Sequence, residues 1–120
     1  WSFPNTDGGN GFDLNVNSAS ARVYFLGFGY FSDSFNYIDG NWHHIVVTYN
    51  GATLKFYTDG SLNGSHSVTT TISNGLNLFF VGAFSPSYLT LGTTGSYDQT
   101  TIFDYALSQD QVKILGGMII

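Results

Sequence analysis

An all-β chain, folded as an antiparallel two-sheet β-sandwich with one short C-terminal helix, is predicted by three features of the 120-residue sequence. Short runs of alternating, β-branched and aromatic residues recur along it. Turn residues, chiefly Gly, Asn and Asp, separate those runs, and a single capped helical stretch stands near the end. One domain is expected over 1–120, since the length supplies one core and no Pro-rich linker, charge run or repeat divides it.

The first strand is read at Phe12 to Val16, where apolar and polar residues alternate. The second is read from Arg22 to Tyr30, interrupted by Gly27 and Gly29. Trp42 to Tyr49 makes a third, and Asn50-Gly51 joins it to Thr53 to Thr58, the strongest short hairpin signal in the chain. Asp59-Gly60 turns the chain again, and further strands are expected at His66 to Ile72, Leu76 to Ala83 and Tyr97 to Tyr105. The intervening Asn63-Gly64-Ser65 sequon is expected on an exposed turn. Near the end, Ser108-Gln109-Asp110-Gln111 has the S-x-x-Q capping-box pattern and Gly116-Gly117 supplies a stop, giving about two turns of helix.

Composition excludes several functions. A net charge of −5 with only Arg22, Lys55 and Lys113 as basic residues leaves no cationic stripe for phosphates, so nucleic acid is not expected as a partner. No apolar run approaches the roughly 20 residues needed to span a bilayer, so membrane insertion is not expected either. Cysteine is absent, which removes disulfides, thiolate metal sites and thiol nucleophiles. Charged residues reach only 9%, against roughly 25% in typical soluble domains, and the polar surface falls to Asn, Ser, Thr and Gly. That palette suits an extracellular, cell-surface or particle-bound β protein.

The stretch Asp39-Gly40-Asn41-Trp42-His43-His44-Ile45-Val46-Val47-Thr48-Tyr49-Asn50-Gly51, followed by Leu54 to Gly60, resembles the W-H-H-V-A-x-T-Y-D-G and L-x-L-Y-x-D-G hairpin of the laminin G-like, concanavalin A-like family. Downstream, Gly95 to Ser108 is similar to that family's G-x-I-D-E-V-R-I-Y-N-R-A-L-S motif, and Leu76 to Gly82 to its L-x-I-G strand. Trp1 takes the position of the Trp in the family's T-I-S-x-W-V strand, so the resemblance spans nearly the whole chain. Gln99 and Thr101 stand where the family has Glu and Arg, which removes the ion pair that strand can offer. The resemblance implies a jelly-roll used for carbohydrate or protein binding, adhesion or spacing. It also implies further strands before Trp1, so the domain is expected to be incomplete at its N-terminus, with the gap filled by upstream sequence or by a neighbouring chain.

Relatives with this fold include glycan hydrolases that use paired carboxylates, but this chain has no Glu and none of its Asp residues stand at i, i+2 on a strand. No G-x-S-x-G elbow is present. The chain is therefore expected not to be an enzyme, with no catalytic residues and no cofactor. His43 and His44, adjacent on a strand, would point to opposite faces and cannot readily share a metal, so they are read with Trp42 as structural, Trp42 and at least one of the rings being buried. Asp98 is read as a buried, hydrogen-bonded carboxylate in mid-strand. Calcium is the one metal the family resemblance leaves open, with Asp7, Asp33 and Asp39 as loop ligands.

A flat ring can stack on the C–H face of a pyranose while Asn and Asp take its hydroxyls. Tyr30, Phe31, Phe35 and Tyr37 before the Trp42 strand, and Phe84 and Tyr88 in a later loop, are the candidates for such contacts. Two functions are thus expected to compete. One is a binding or adhesion module of a larger extracellular protein, its partner a glycan or protein surface. The other is a structural module of a viral particle or fibre, contacting a neighbouring domain or subunit.

Overall fold

The computed structural model describes residues 12–16, 20–25, 28–71 and 95–117. Among them are six strands and one helix: β1 Phe12–Val16, β2 Ala21–Phe25, β3 Gly29–Ser32, β4 Ile45–Tyr49, β5 Thr53–Thr58, β6 Ser61–Ser67 and α1 Gln109–Leu115. They form two three-stranded antiparallel sheets, β1-β2-β3 and β4-β5-β6. The expected two-sheet sandwich with a short C-terminal helix is what the chain adopts.

Alternation builds the first sheet. Ala21, Val23 and Phe25 of β2 are buried, while Arg22 and Tyr24 between them face outward. From the second sheet Leu54 and Phe56 meet them, and with Leu14 and Val68 these residues make one apolar layer between the sheets. Ile45 and Val47 of β4 pack on this layer. Their neighbour Val46 points the other way, to Tyr57, Leu107 and Val112, so the helix covers part of the outer face of β4-β5. Ser108 caps it as the sequence predicts, with its side chain receiving the Gln111 N–H and the Gln111 side chain receiving the Ser108 N–H.

Five expectations are corrected. Arg22 to Tyr30 is not one strand but two, β2 and β3, paired antiparallel with Phe25 opposite Gly29. Gly29 sits at φ +93, a conformation that lets the chain reverse there. The strand expected at His66 to Ile72 instead runs from Ser61 to Ser67, because Asp59 and Gly60, both at positive φ, fold the chain straight back and pair Thr58 with Ser61. Asn63 therefore lies within β6, at the register shift opposite Phe56 and Tyr57, with its amide nitrogen buried rather than on an exposed turn. Tyr97 to Tyr105 forms no strand: all of these residues are exposed, and Gln99 at φ +51 breaks the extended run. Asp98 in that segment is accordingly exposed and not a buried carboxylate. The Leu76 to Ala83 strand lies outside the described residues.

Polar side chains tie the two sheets together at their rims. His66 on β6 donates from Nε2 to the Ser32 carbonyl at the end of β3, 2.7 Å away, which fixes the tautomer with its proton on Nε2. Gly64 permits this approach, since a Cβ there would come within 3.3 Å of both Asp33 and Phe56. On β4, the Tyr49 hydroxyl receives the Thr70 N–H at 2.9 Å and lies 2.7 Å from the Thr70 carbonyl, fastening the segment that follows β6.

Candidate functional site

The chain crosses from one sheet to the other through residues 33–44, and most of the described candidate site residues lie on this connection. Its first anchor is Asp33. The Asp33 carboxylate is buried and receives the Ala21 N–H at 2.8 Å and the Phe35 N–H at 3.4 Å on Oδ1, and the Tyr37 hydroxyl on Oδ2. Tyr37 Oη also lies 2.6 Å from Thr58 Oγ1 on β5. Burial and the bond to Asp33 together hold the Tyr37 phenol protonated well above the usual tyrosine range.

The second anchor is His43. Its Nδ1 lies 2.8 Å from Asp59 Oδ2 and its Nε2 lies 3.0 Å from Asp39 Oδ1, and its side chain is only 10% exposed. A carboxylate offers no proton, so only the imidazolium can donate to both. The Asp59 hydrogen bond, supported by the one to Asp39, accordingly raises the His43 pKa above its ordinary value of 6.5. Phe35 and Tyr37 present their rings edge-on to the imidazole, with centroids at 5.0 Å and 5.9 Å. Asp59 fixes the entry of β4 as well, receiving the His44 N–H at 2.9 Å and donating its own N–H to the His44 carbonyl at 3.0 Å. Asp39 is drawn down to about 2, first by the Asn41 side chain and N–H and then by His43.

Trp42 stands between these anchored residues and departs from expectation, being 70% exposed. The reason is local: β4 begins only at Ile45, so Trp42 belongs to the connection and strand alternation does not direct it inward. For the same reason His43 and His44 do not alternate across a sheet. His44 turns toward the helix end, where its buried Nδ1 has no hydrogen-bond partner among the described residues and would lie 2.6 Å from a Cβ placed on Gly116.

The aromatic candidates divide. Tyr30 is 61% exposed on the outer face of the first sheet, under the Arg22 guanidinium at 5.0 Å and beside Tyr24 at 4.8 Å. Phe31, next in sequence, points inward and packs on the core. Phe35 and Tyr37 lie 4.8 Å apart, half-buried against His43. Phe84, Tyr88 and Asp7 lie outside the described residues. Asp33 and Asp39 do not share a site: one is buried beneath Ala21, the other exposed beside Asn41. Among the described residues no three His, Cys, Asp or Glu side chains converge as a metal-ligand set. Asp59, which completes the His43 arrangement, reads in the sequence only as a turn former, and Thr58 only as the last residue of a strand. The Asp-Gly pair after β5 is the one signal that could have pointed to Asp59.

Among the described residues no helix is long and apolar enough to cross a membrane. Two antiparallel sheets, a polar crossing between them and a capped terminal helix define a sandwich of the lectin type. The chain belongs to the concanavalin A-like lectin/glucanases superfamily, whose laminin G-type family model matches residues 1–113. It is also similar to a crystal structure of an S-layer domain-containing protein (residues 221–444) from Clostridium thermocellum, with a TM-score of 0.60 and 20% sequence identity. That similarity covers 97% of this chain and 61% of the other, so the chain spans about three-fifths of the structure it resembles. No curated protein matches it.

Proposed function

We propose that the chain is a non-catalytic binding module of an extracellular or cell-surface protein, and that it engages a glycan or a protein surface. The observation that carries this reading is the state of the carboxylates. A glycosidase needs two of them facing an open scissile bond. Here Asp39 and Asp59 face each other only across the His43 ring, which fills the space between them and binds both. Asp33 is likewise committed to N–H and O–H donors. What the connection offers to solvent is instead a contact surface: Trp42, Ile38, Asn36 and Asn41 are all exposed. The resemblance to an S-layer domain-containing protein supports a place at the cell surface. The test is a binding screen of the purified chain against glycans and surface-layer polymers, paired with a reducing-sugar assay. Binding without turnover supports the reading, and sustained turnover overturns it.

A second reading is favoured by one patch. Phe103 and Tyr105 line a shallow apolar groove with Ile114 and Leu115 of α1, and all four are exposed. Such a patch suits packing against a neighbouring domain or subunit of a larger assembly. Sedimentation of the wild-type chain and of Ile114→Asp tests this, with self-association lost in the variant as the supporting result.

A further inference from the structure

We propose that Trp42 is a stacking platform for a neutral pyranose ring, and that His43 is the positioning residue that holds it ready. The proposal rests on the binding-module reading and assigns it a site and a ligand chemistry.

An indole left 70% exposed, four residues from an Ile38 that is 69% exposed, places two large apolar side chains on one short loop. The loop is nonetheless fixed along its length. Asn36 Oδ1 receives the Ile38 N–H at 3.0 Å, Asp39 Oδ1 receives the Asn41 N–H at 2.8 Å, and Gly40 makes the bend at φ +82. Immediately after Trp42, His43 joins Asp39 of the loop to Asp59 of the β5–β6 turn, and the His44 N–H binds the same Asp59. The backbone on either side of Trp42 is thus fixed by hydrogen bonds, at Asn41 before it and at His43 and His44 after it. A contact surface ordered before binding loses less entropy when a ligand arrives.

The ligand class follows from the neighbours. The face of an indole matches the C–H face of a pyranose, and the exposed Asn36, Asp39 and Asn41 are of the types that take sugar hydroxyls. The exposed apolar part amounts to one Trp and one Ile, small beside the roughly 800 Å² per partner of a stable protein interface. An anionic glycan would need a cation here. Apart from histidine the chain has only Arg22, Lys55 and Lys113 as cations; Arg22 is engaged with Asn15 and Tyr30 on the first sheet, and the His43 imidazolium is already matched by Asp39 and Asp59. A net charge of −5 adds to the repulsion of uronates and sulfates.

The experiment uses the whole 120-residue chain in a Trp1→Phe background, so that Trp42 is the only indole. Neutral oligosaccharides (cello-, xylo-, manno- and chito-hexaose) and two acidic polymers (heparin and polygalacturonate) are titrated by calorimetry and by Trp fluorescence. Binding of a neutral probe with a blue shift of Trp42 emission is expected. Trp42→Ala should weaken it roughly tenfold or more, Trp42→Phe should restore part of the loss, and Phe28→Ala, at an exposed aromatic away from this loop, should leave it unchanged. His43→Gln should weaken binding and alter the emission of the unliganded protein, and Asp39→Asn provides the same test from the other end of the bond should the first variant fail to fold. Neutral-glycan binding that survives Trp42→Ala overturns the site and leaves the module reading standing. Preference for the acidic polymers overturns the ligand class, and absence of binding to every glycan overturns the proposal together with the glycan arm of that reading.

Discussion

The Tyr37 hydroxyl donates to the buried Asp33 carboxylate, and through that one phenol the two sheets share a polar bridge. Asp33 receives the backbone of Ala21 at the start of β2, while Tyr37 meets Thr58 at the end of β5. The bridge sits where the chain crosses between sheets, beside the aromatic edge that supports His43.

Removing the hydroxyl should therefore loosen the crossing. Tyr37→Phe leaves a buried carboxylate oxygen without its donor, and the cost of such an orphan is about 1–3 kcal/mol. Urea unfolding of Tyr37→Phe, Thr58→Val and the double variant should show less than additive losses, since the two changes break one network. Full additivity would mean that the residues act separately.

The His43 bridge makes stability depend on pH with a definite sign. A raised His43 pKa means that its contribution is complete below 6.5, the ordinary value, and is lost as pH rises through the folded-state value. Asp39, drawn down to about 2 from 3.8, contributes above 3.8 and loses that contribution as pH falls toward about 2. Thermal melts of wild type minus His43→Gln should thus show the largest difference between about pH 4 and 6.5. A difference that grows above pH 7 would contradict the doubly bonded imidazolium.

Gly116 is predicted to tolerate no side chain. A Cβ there would stand 2.6 Å from His44 Nδ1 and 3.2 Å from Cγ of the same ring, so either the ring or the helix end must move. Gly116→Ala should destabilise by about 1–3 kcal/mol, the usual cost of overpacking. The double change His44→Ala, Gly116→Ala should recover part of that loss.

Ser108→Ala removes the oxygen that receives the Gln111 N–H, and should cost about 0.5–2 kcal/mol. Ser108→Asp, which keeps an acceptor at the cap, should stay near wild type in the same denaturant titration.

No polysaccharide should be hydrolysed. Turnover above background that disappears in Asp39→Asn or Asp59→Asn would show that the His43 ring leaves its place between the two carboxylates during a reaction.

Local chemistry alone determined the β class, the Asn50-Gly51 hairpin and the capped helix, because a turn glycine at positive φ, a two-residue period and an S-x-x-Q box are each decided within a few residues. The laminin G-type resemblance was legible too, since it rests on contiguous motifs. Tertiary structure decided the rest. Ser61 to Ser67 has no apolar alternation and becomes a strand because the Asp59-Gly60 turn lays it beside β5. Tyr97 to Tyr105 has the right residues, yet no described strand pairs with it. Asp59 and His43, sixteen residues apart, meet only when β5 returns alongside β4, and Trp42 is exposed because that pairing begins three residues later, at Ile45 opposite Thr58. Sequence patterns encode which face a residue takes once a strand exists, whereas where the strand starts depends on what pairs with it across space.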